Sequence, residues 1–173
     1  MTSDPRRICW DAWAFTELLN RFSPYHQPLL DIVRFAAGDE PRIEIVTSII
    51  AAAEVAGLLR HAETGRIVGR LDVTDIELMW ESSPVVRLDV TGGVAERERD
   101  IVRASEAARP RRRIIRGADA VYLATASLLG ADTLITGDAA LLAHSGMLGV
   151  HICLPTVLSE ELLPSSSAVV DGK

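Results

Sequence analysis

The chain has 173 residues, which suits a single domain, and 48% of them are hydrophobic, which is enough for a buried core and excludes an intrinsically disordered chain. No apolar run approaches the ~20 residues that a membrane helix needs, and no apolar secretion segment follows the polar N-terminus, so we expect a soluble, cytoplasmic protein. The net charge of −6 is the opposite of the basic balance expected of a nucleic-acid-binding domain.

Apolar strand patterns alternate with helical patterns along the chain, and this alternation predicts an α/β fold with a parallel sheet. In chain order the predicted elements are a strand at 7–11, helices at 12–21 and 27–37, a strand at 43–47, a helix after residue 47 that reaches residue 61, a helix at 67–81, a strand at 85–88, helices at 91–108 and 119–129, a strand at 133–136, a short helix at 138–143 and a strand at 150–153. Residues 164–173 are expected to be mobile.

The two cysteines, Cys9 and Cys153, each fall inside a predicted strand. A disulfide is not expected in a reducing compartment, and the sequence has no Cys/His spacing typical of a zinc site. We therefore predict two buried free thiols.

Acidic residues stand where predicted strands end or helices begin. Asp11 closes the first strand, Glu54 lies one turn into the helix after the second, Asp119 opens the most apolar helix and Asp138 follows the fourth strand. The carboxyl ends of the strands in an open parallel sheet border one cleft, so we expect these four acids to meet there. Four carboxylates in one cleft repel each other, and a divalent cation usually offsets such a charge. The pattern indicates a metal-dependent enzyme that acts on phosphodiesters.

Helix capping is the alternative role for three of the four acids. Asp11, Asp119 and Asp138 all stand at helix starts, where an aspartate accepts hydrogen bonds from free N–H groups and opposes the helix dipole. Glu54 differs, because its neighbours in sequence are almost all apolar. A carboxylate in such surroundings is costly unless it is paired or bound to a metal.

Thr136 precedes Asp138 by two residues, so in extended backbone the two side chains point the same way. The Thr136 hydroxyl can then bond a carboxylate or hold a water. Filling a strand with a β-branched side chain is the alternative role.

Basic residues are concentrated just before Asp119. Of the eighteen basic residues all but Lys173 are arginine. Guanidinium groups suit phosphate recognition, whereas a solvated loop whose arginines pair with surface acids is the alternative. The arginines within this eight-residue stretch are Arg109, Arg111, Arg112, Arg113 and Arg116.

Four short segments together resemble the PIN-domain nucleases, and most closely the VapC-type toxins of bacterial VapBC toxin–antitoxin pairs. The third segment contains a helix that opens with Asp119-Ala120 and continues to Ala124-Thr125-Ala126, and the fourth segment ends with Thr136-Gly137-Asp138. Their order and spacing extend the resemblance over residues 8–154. The four segments are residues 8–11, 47–54, 117–126 and 134–138.

The resemblance implies one PIN-like nuclease domain at 7–154, with a central five-stranded parallel sheet flanked by helices, and a C-terminal extension at 155–173 that is partly mobile. It implies an endoribonuclease dependent on Mg²⁺ or Mn²⁺, with the four acids as metal-binding catalytic residues and Thr136 as the catalytic hydroxyl. It also implies an RNA substrate, a VapB-like antitoxin and a homodimer. The arginines that would contact the RNA are Arg111, Arg112, Arg113 and Arg116.

Two other functions are weighed against this one. A HAD-like phosphohydrolase needs a second acid two residues after Asp11, where this chain has Trp13, and a loop lysine that it lacks. A catalytically silent PIN-like binding module stays open as the alternative. Binding of Mn²⁺ separates it from the enzyme.

Overall fold

A computed structural model describes residues 5–38, 43–63, 80, 85–108 and 113–162. The strands are β1 (Arg6–Trp10), β2 (Ile43–Ser48), β3 (Val85–Leu88), β4 (Thr133–Ile135) and β5 (His151–Cys153). The α-helices are α1 (Ala12–Leu19), α2 (His26–Ala36), α3 (Ile50–Glu63), α4 (Gly92–Ala107), α5 (Ala118–Leu128), α6 (Ala139–Leu142) and α7 (Pro155–Leu162), and a 3₁₀ turn covers Met147–Gly149.

The five strands form one parallel sheet in the order β3-β2-β1-β4-β5. β1 lies in the middle, where Ile8 pairs with Ile45 of β2 on one side and with Thr133 of β4 on the other. The chain builds the sheet outward from β1 in one direction and then returns to build it in the other. Such a reversal leaves a crevice at the carboxyl ends of the two strands that flank it, here β1 and β4.

Helices cover the sheet, so its central strands are apolar throughout rather than alternating. Ile8, Cys9 and Trp10 of β1 are fully buried, as is Leu134 of β4. Helix α5 packs on β1, β2 and β4, with α4 against it, while α2 packs on β2. Parallel strands flanked by helices confirm the predicted fold class.

The strands agree with the predictions to within a residue at each end, and the differences are largest at the helix ends. β1 ends at Trp10 because Asp11 serves as the N-cap of α1. Helix α1 ends at Leu19, two residues before the predicted end. The predicted helix at 67–81 lies outside the described residues apart from Trp80.

Helix α7 was not predicted. It occupies the first part of the predicted C-terminal extension and packs on α2. Residues 163–173 lie outside the described part of the chain.

Both cysteines are buried and free, as predicted. Burial raises the pKa of both thiols, that of Cys153 to about 11, so neither is a reactive thiolate at neutral pH. Among the described residues no helix is long and apolar enough to cross a membrane.

Candidate active site

A cleft of about 530 Å³ opens at the carboxyl ends of β1 and β4. All four predicted acids line it, although they come from four separate segments of the chain. The topology therefore brings together side chains as far apart in sequence as Asp11 and Asp138. The lining residues are Asp11, Ala12, Trp13, Glu54, Gly57, Asp119, Tyr122, Gly137 and Asp138.

Asp11 is the most deeply buried of the acids, with 5% of its surface exposed. Its Oδ1 accepts a hydrogen bond of 2.9 Å from the N–H of Ala14, which caps α1. Burial raises the pKa of Asp11 to about 7, and the nearby charges of Asp119 and Glu54 add to the rise. Asp11 thus caps α1 and also lines the cleft, so the two roles predicted for it do not exclude each other.

Thr136 is fully buried and lies behind the cleft rather than on its wall. Its hydroxyl accepts a hydrogen bond of 3.0 Å from the N–H of Asp138. The same hydroxyl lies near enough to the carboxylate of Asp11 to oppose the rise in the pKa of that acid. Thr136 thereby stands between the loop after β4 and the acid at the end of β1.

Asp138 is half-buried and caps the short helix α6. Its Oδ1 accepts from the N–H of Ala140 at 2.6 Å and of Leu141 at 3.4 Å. These bonds fix the carboxylate at the mouth of the cleft, where its charge faces that of Asp119.

Asp119 lies in the first turn of α5 and is half-buried. The N-cap of α5 is Gly117, whose φ of 61° suits a glycine, and no side chain caps this helix. Burial raises the pKa of Asp119, and the charges of Asp138 and Glu54 raise it further, whereas Arg113 lowers it. Capping therefore does not account for Asp119, and its surroundings are those of a cleft acid.

Glu54, on α3, is half-buried, and its Oε2 accepts a hydrogen bond of 2.5 Å from the phenol of Tyr122. Glu54 thus has the hydrogen-bond partner that a carboxylate among apolar neighbours in sequence needs. Sequence reasoning did not single out Tyr122. The spacing of three residues between Asp119 and Tyr122 could have identified it, because this spacing places both side chains on one face of α5.

Only part of the arginine-rich stretch is described. Arg113 and Arg116 are exposed, whereas Arg111 and Arg112 lie outside the described residues. Neither Arg113 nor Arg116 forms an ion pair with another described residue. Of the two, Arg113 is the one close enough to Asp119 to lower its pKa. The pairing with surface acids that was the alternative role is thus not seen for these two side chains within the described chain.

The backbone around Arg113 is anchored. Its carbonyl oxygen accepts a hydrogen bond of 2.9 Å from Nε2 of the buried His144. Two residues later, the N–H of the buried Ile115 donates to Oγ of Ser105 at 3.2 Å. These contacts hold Arg113 beside the cleft.

The four cleft acids supply the hard oxygen donors that Mg²⁺ and Mn²⁺ prefer. Burial and, to a smaller extent, the charges of neighbouring acids raise the pKa of Asp11 and Asp119, and a bound cation would offset this negative charge. As they stand, no three or more acidic, His or Cys side chains among the described residues are grouped closely enough to hold a metal. The donor set fits a divalent ion by its chemistry, and a coordination shell requires the acids to move toward the ion.

The family model of the PIN domain matches residues 8–145, which is most of the chain and includes every cleft acid. The chain belongs to the PIN-domain family. The resemblance carried by the four short segments is thereby confirmed. PIN domains generally depend on a divalent metal ion.

Solved structures of VapC and VapBC proteins share the fold at low sequence identity. VapC20 of Mycobacterium tuberculosis, described as a toxin that cleaves the sarcin–ricin loop, superposes with a TM-score of 0.57 at 19% identity over 83% of this chain and 98% of its own. VapBC2 of Rickettsia felis, bound to a DNA fragment from its promoter, gives 0.58 at 14% identity over 86% and 98%. VapBC-1 of nontypeable Haemophilus influenzae gives 0.56 at 19% identity over 87% and 98%. No curated protein matches the sequence significantly.

Proposed function

We propose that this PIN domain is a metal-dependent endoribonuclease that uses Mg²⁺ or Mn²⁺ to hydrolyse RNA phosphodiester bonds in the cytoplasm. The observation that carries the proposal is the convergence of four carboxylates from separate segments on one cleft. Burial raises the pKa of Asp11 and Asp119, and the charges of the neighbouring acids raise it further, so four carboxylates in one cleft do not stabilise the fold. A metal site for hydrolysis, in contrast, needs such a set of carboxylates.

In the proposed site Asp11, Asp119 and Asp138 hold the metal, and Glu54 binds it or orients the attacking water. A bound divalent ion lowers the pKa of a coordinated water and offsets charge that develops on the phosphate. The protein's own part is to fix the acids. The caps on α1 and α6 restrain Asp11 and Asp138, and the Thr136 hydroxyl accepts from the N–H of Asp138 beside the Asp11 carboxylate.

Phosphate groups of the RNA next to the scissile bond require positive charge, because the cleft itself is acidic. Arg113 is exposed, anchored through its backbone and adjacent to Asp119. We assign it to phosphate contact, since a guanidinium binds phosphate oxygens in a bidentate way. Arg111, Arg112 and Arg116 are proposed to extend the contact along the strand.

The similar structures support a proposed toxin role in a toxin–antitoxin pair. One is described as a toxin that cleaves the sarcin–ricin loop, and others are VapBC or FitAB assemblies. We infer a VapB-like antitoxin as partner and a homodimer as the assembled form. Co-expression with the product of a neighbouring small reading frame, followed by purification through a tag on one chain, tests the partnership. Recovery of this chain alone would contradict it.

Cleavage of a labelled single-stranded RNA tests the activity. We expect cleavage in Mg²⁺ or Mn²⁺ that EDTA abolishes, and a loss of about 100-fold or more in Asp119→Asn, because a metal ligand is removed. Asp100→Asn is the matched control, since Asp100 is an exposed acid on α4. Equal cleavage by wild type and Asp119→Asn would refute the mechanism.

A catalytically silent PIN-like module that only binds a partner is the second candidate. The observation in its favour is that the acids of the described chain are not grouped as a ready metal site. Calorimetric titration with Mn²⁺ separates the two functions. Binding that is lost in Asp119→Asn supports the nuclease, whereas no binding by the wild type supports the silent module.

A further inference from the structure

Tyr122 reaches the candidate active site from inside the protein. Only 2% of its surface is exposed, yet its hydroxyl borders the cleft beside Glu54. The phenol lies one turn along α5 from Asp119, so the helix that carries one cleft acid also carries the partner of another.

The phenol donates a hydrogen bond to Oε2 of Glu54 at 2.5 Å. This bond ties α5, which also carries Asp119, to α3. It thereby joins the segments that carry two of the four cleft acids.

Burial and the neighbouring carboxylate raise the pKa of Tyr122, so the phenol remains a neutral donor. A tyrosine also holds its hydroxyl rigidly, since only two side-chain torsions separate it from a helix packed on the sheet. Glu54 has three torsions and sits on a half-buried surface of α3, so without a partner its carboxylate would have several positions open to it.

We propose that Tyr122 is a positioning residue that fixes the carboxylate of Glu54 toward the cleft and ties it to α5, the helix that also carries Asp119. The expected effect of Tyr122 on catalysis rests on the proposed nuclease function, whereas the positioning of Glu54 does not. In metal sites, a residue that orients a ligand through a hydrogen bond contributes strongly even though it does not touch the metal.

Tyr122→Phe removes the hydroxyl and keeps the ring, so the packing of α5 is preserved. We expect kcat for RNA cleavage to fall about tenfold with KM changed less than twofold, because the substrate contacts are untouched. The matched control is Tyr25→Phe, which removes the hydroxyl of the only other tyrosine in the chain. Full kcat in Tyr122→Phe, or an equal loss in Tyr25→Phe, would overturn the proposal.

Mn²⁺ affinity gives a second readout that needs no turnover. Calorimetry should show weaker binding, by about three- to tenfold, in Tyr122→Phe than in the wild type. In the Glu54→Ala background the same change should have no further effect, since the carboxylate to be positioned is gone. An undiminished effect of Tyr122→Phe in that background would show that the phenol does not act through Glu54.

Crystal structures of the wild type and Tyr122→Phe decide the positioning itself without metal or activity. We expect the Glu54 carboxylate to move or become disordered in the variant, with the backbone of α5 unchanged. A carboxylate that keeps its place refutes the proposal. If the wild type instead fails to cleave RNA, the proposed function alone is refuted, and the comparison of the two crystal structures still decides whether Tyr122 positions Glu54.

Discussion

Gly137 lies against the ring face of Trp13 on the wall of the cleft. A β-carbon at residue 137 would come within 2.3 Å of Cε2, 2.4 Å of Cζ2 and 2.8 Å of Cδ2 of the indole, well inside contact distance. The distances to three neighbouring ring atoms place it above the plane of the ring rather than at its edge. Gly137 stands between Thr136 and Asp138, so the close approach fixes the loop after β4 against the start of α1.

Gly137→Ala should therefore destabilise the protein, because either the indole or the loop that carries Asp138 must shift. Overpacking of this kind costs about 1–3 kcal/mol, and RNA cleavage should fall with it. Gly57→Ala is the matched control, since Gly57 lines the same cleft on α3 and nothing lies within 4 Å of its β-carbon position. This second change should stabilise the helix by about 0.5–1 kcal/mol. Denaturant unfolding measures both, and equal effects of the two variants would contradict the packing argument.

Thr136→Val tests the contribution of the hydroxyl separately from that of the side-chain shape. Valine fills the same buried volume but leaves the N–H of Asp138 without its partner and removes the hydroxyl that lowers the pKa of Asp11. The free energy of unfolding should fall by about 1–3 kcal/mol. Cleavage of RNA should fall more than the loss of stability explains, because two cleft acids lose the hydroxyl beside them. Thr136→Ser, which keeps the hydroxyl, should retain most of the activity. A serine variant no more active than the valine variant would show that the methyl group matters instead.

The sequence was sufficient for the sheet and for the place of the acids. Residues 8–10 and 45–47 are buried on both faces of the sheet, so their sequences lack the alternation of apolar and polar residues. Parallel strands have their carboxyl ends at one edge of the sheet. The prediction that Asp11 and Asp138 meet needed no more than this. Their double use as helix caps was foreseen only as an alternative, because a capping pattern looks the same whether or not a cleft lies beyond it.

The sequence did not predict which side chains of different helices and strands contact each other. Tyr122 reads as one more large residue on the apolar helix α5, and its hydrogen bond to Glu54 depends on how α5 faces α3. Helix α7 was missed because eight residues of mixed character give too short a pattern, and its packing on α2 stabilises it instead. The approach of Trp13 to Gly137 likewise depends on the relative placement of α1 and β4.

Asp11 should make the stability of the metal-free protein depend on pH. Its pKa is about 7 in the folded state against 3.8 for an ordinary aspartate, so between these values the folded protein holds a proton that the unfolded chain has released. The free energy of unfolding should therefore fall as pH rises from about 4 to 7, by on the order of 4 kcal/mol from this group. Above that range the loss is complete and constant.

Asp11→Asn removes this titration while its amide oxygen can still cap α1. In EDTA the variant should be more stable than the wild type at pH 7.5 and equal to it near pH 4, as measured by urea unfolding. Addition of Mn²⁺ at pH 7.5 should stabilise the wild type but hardly the variant, since the ion binds the ionised acids. A wild type whose stability relative to Asp11→Asn does not change with pH would show that the carboxyl is not held protonated.

Arg113 and Arg116 offer a test of phosphate contact with two exposed arginines three residues apart. Arg113 lies close enough to Asp119 to lower its pKa, and its backbone is held by His144. Arg113→Gln should weaken binding of single-stranded RNA to the cleavage-impaired Asp119→Asn protein by about tenfold and reduce the slope of log affinity against log salt by about 1. Arg116→Gln should have a smaller effect, because no comparable influence of Arg116 on a cleft acid is found. Fluorescence anisotropy at several salt concentrations measures both, and an unchanged salt slope in Arg113→Gln would place the RNA backbone elsewhere on the surface.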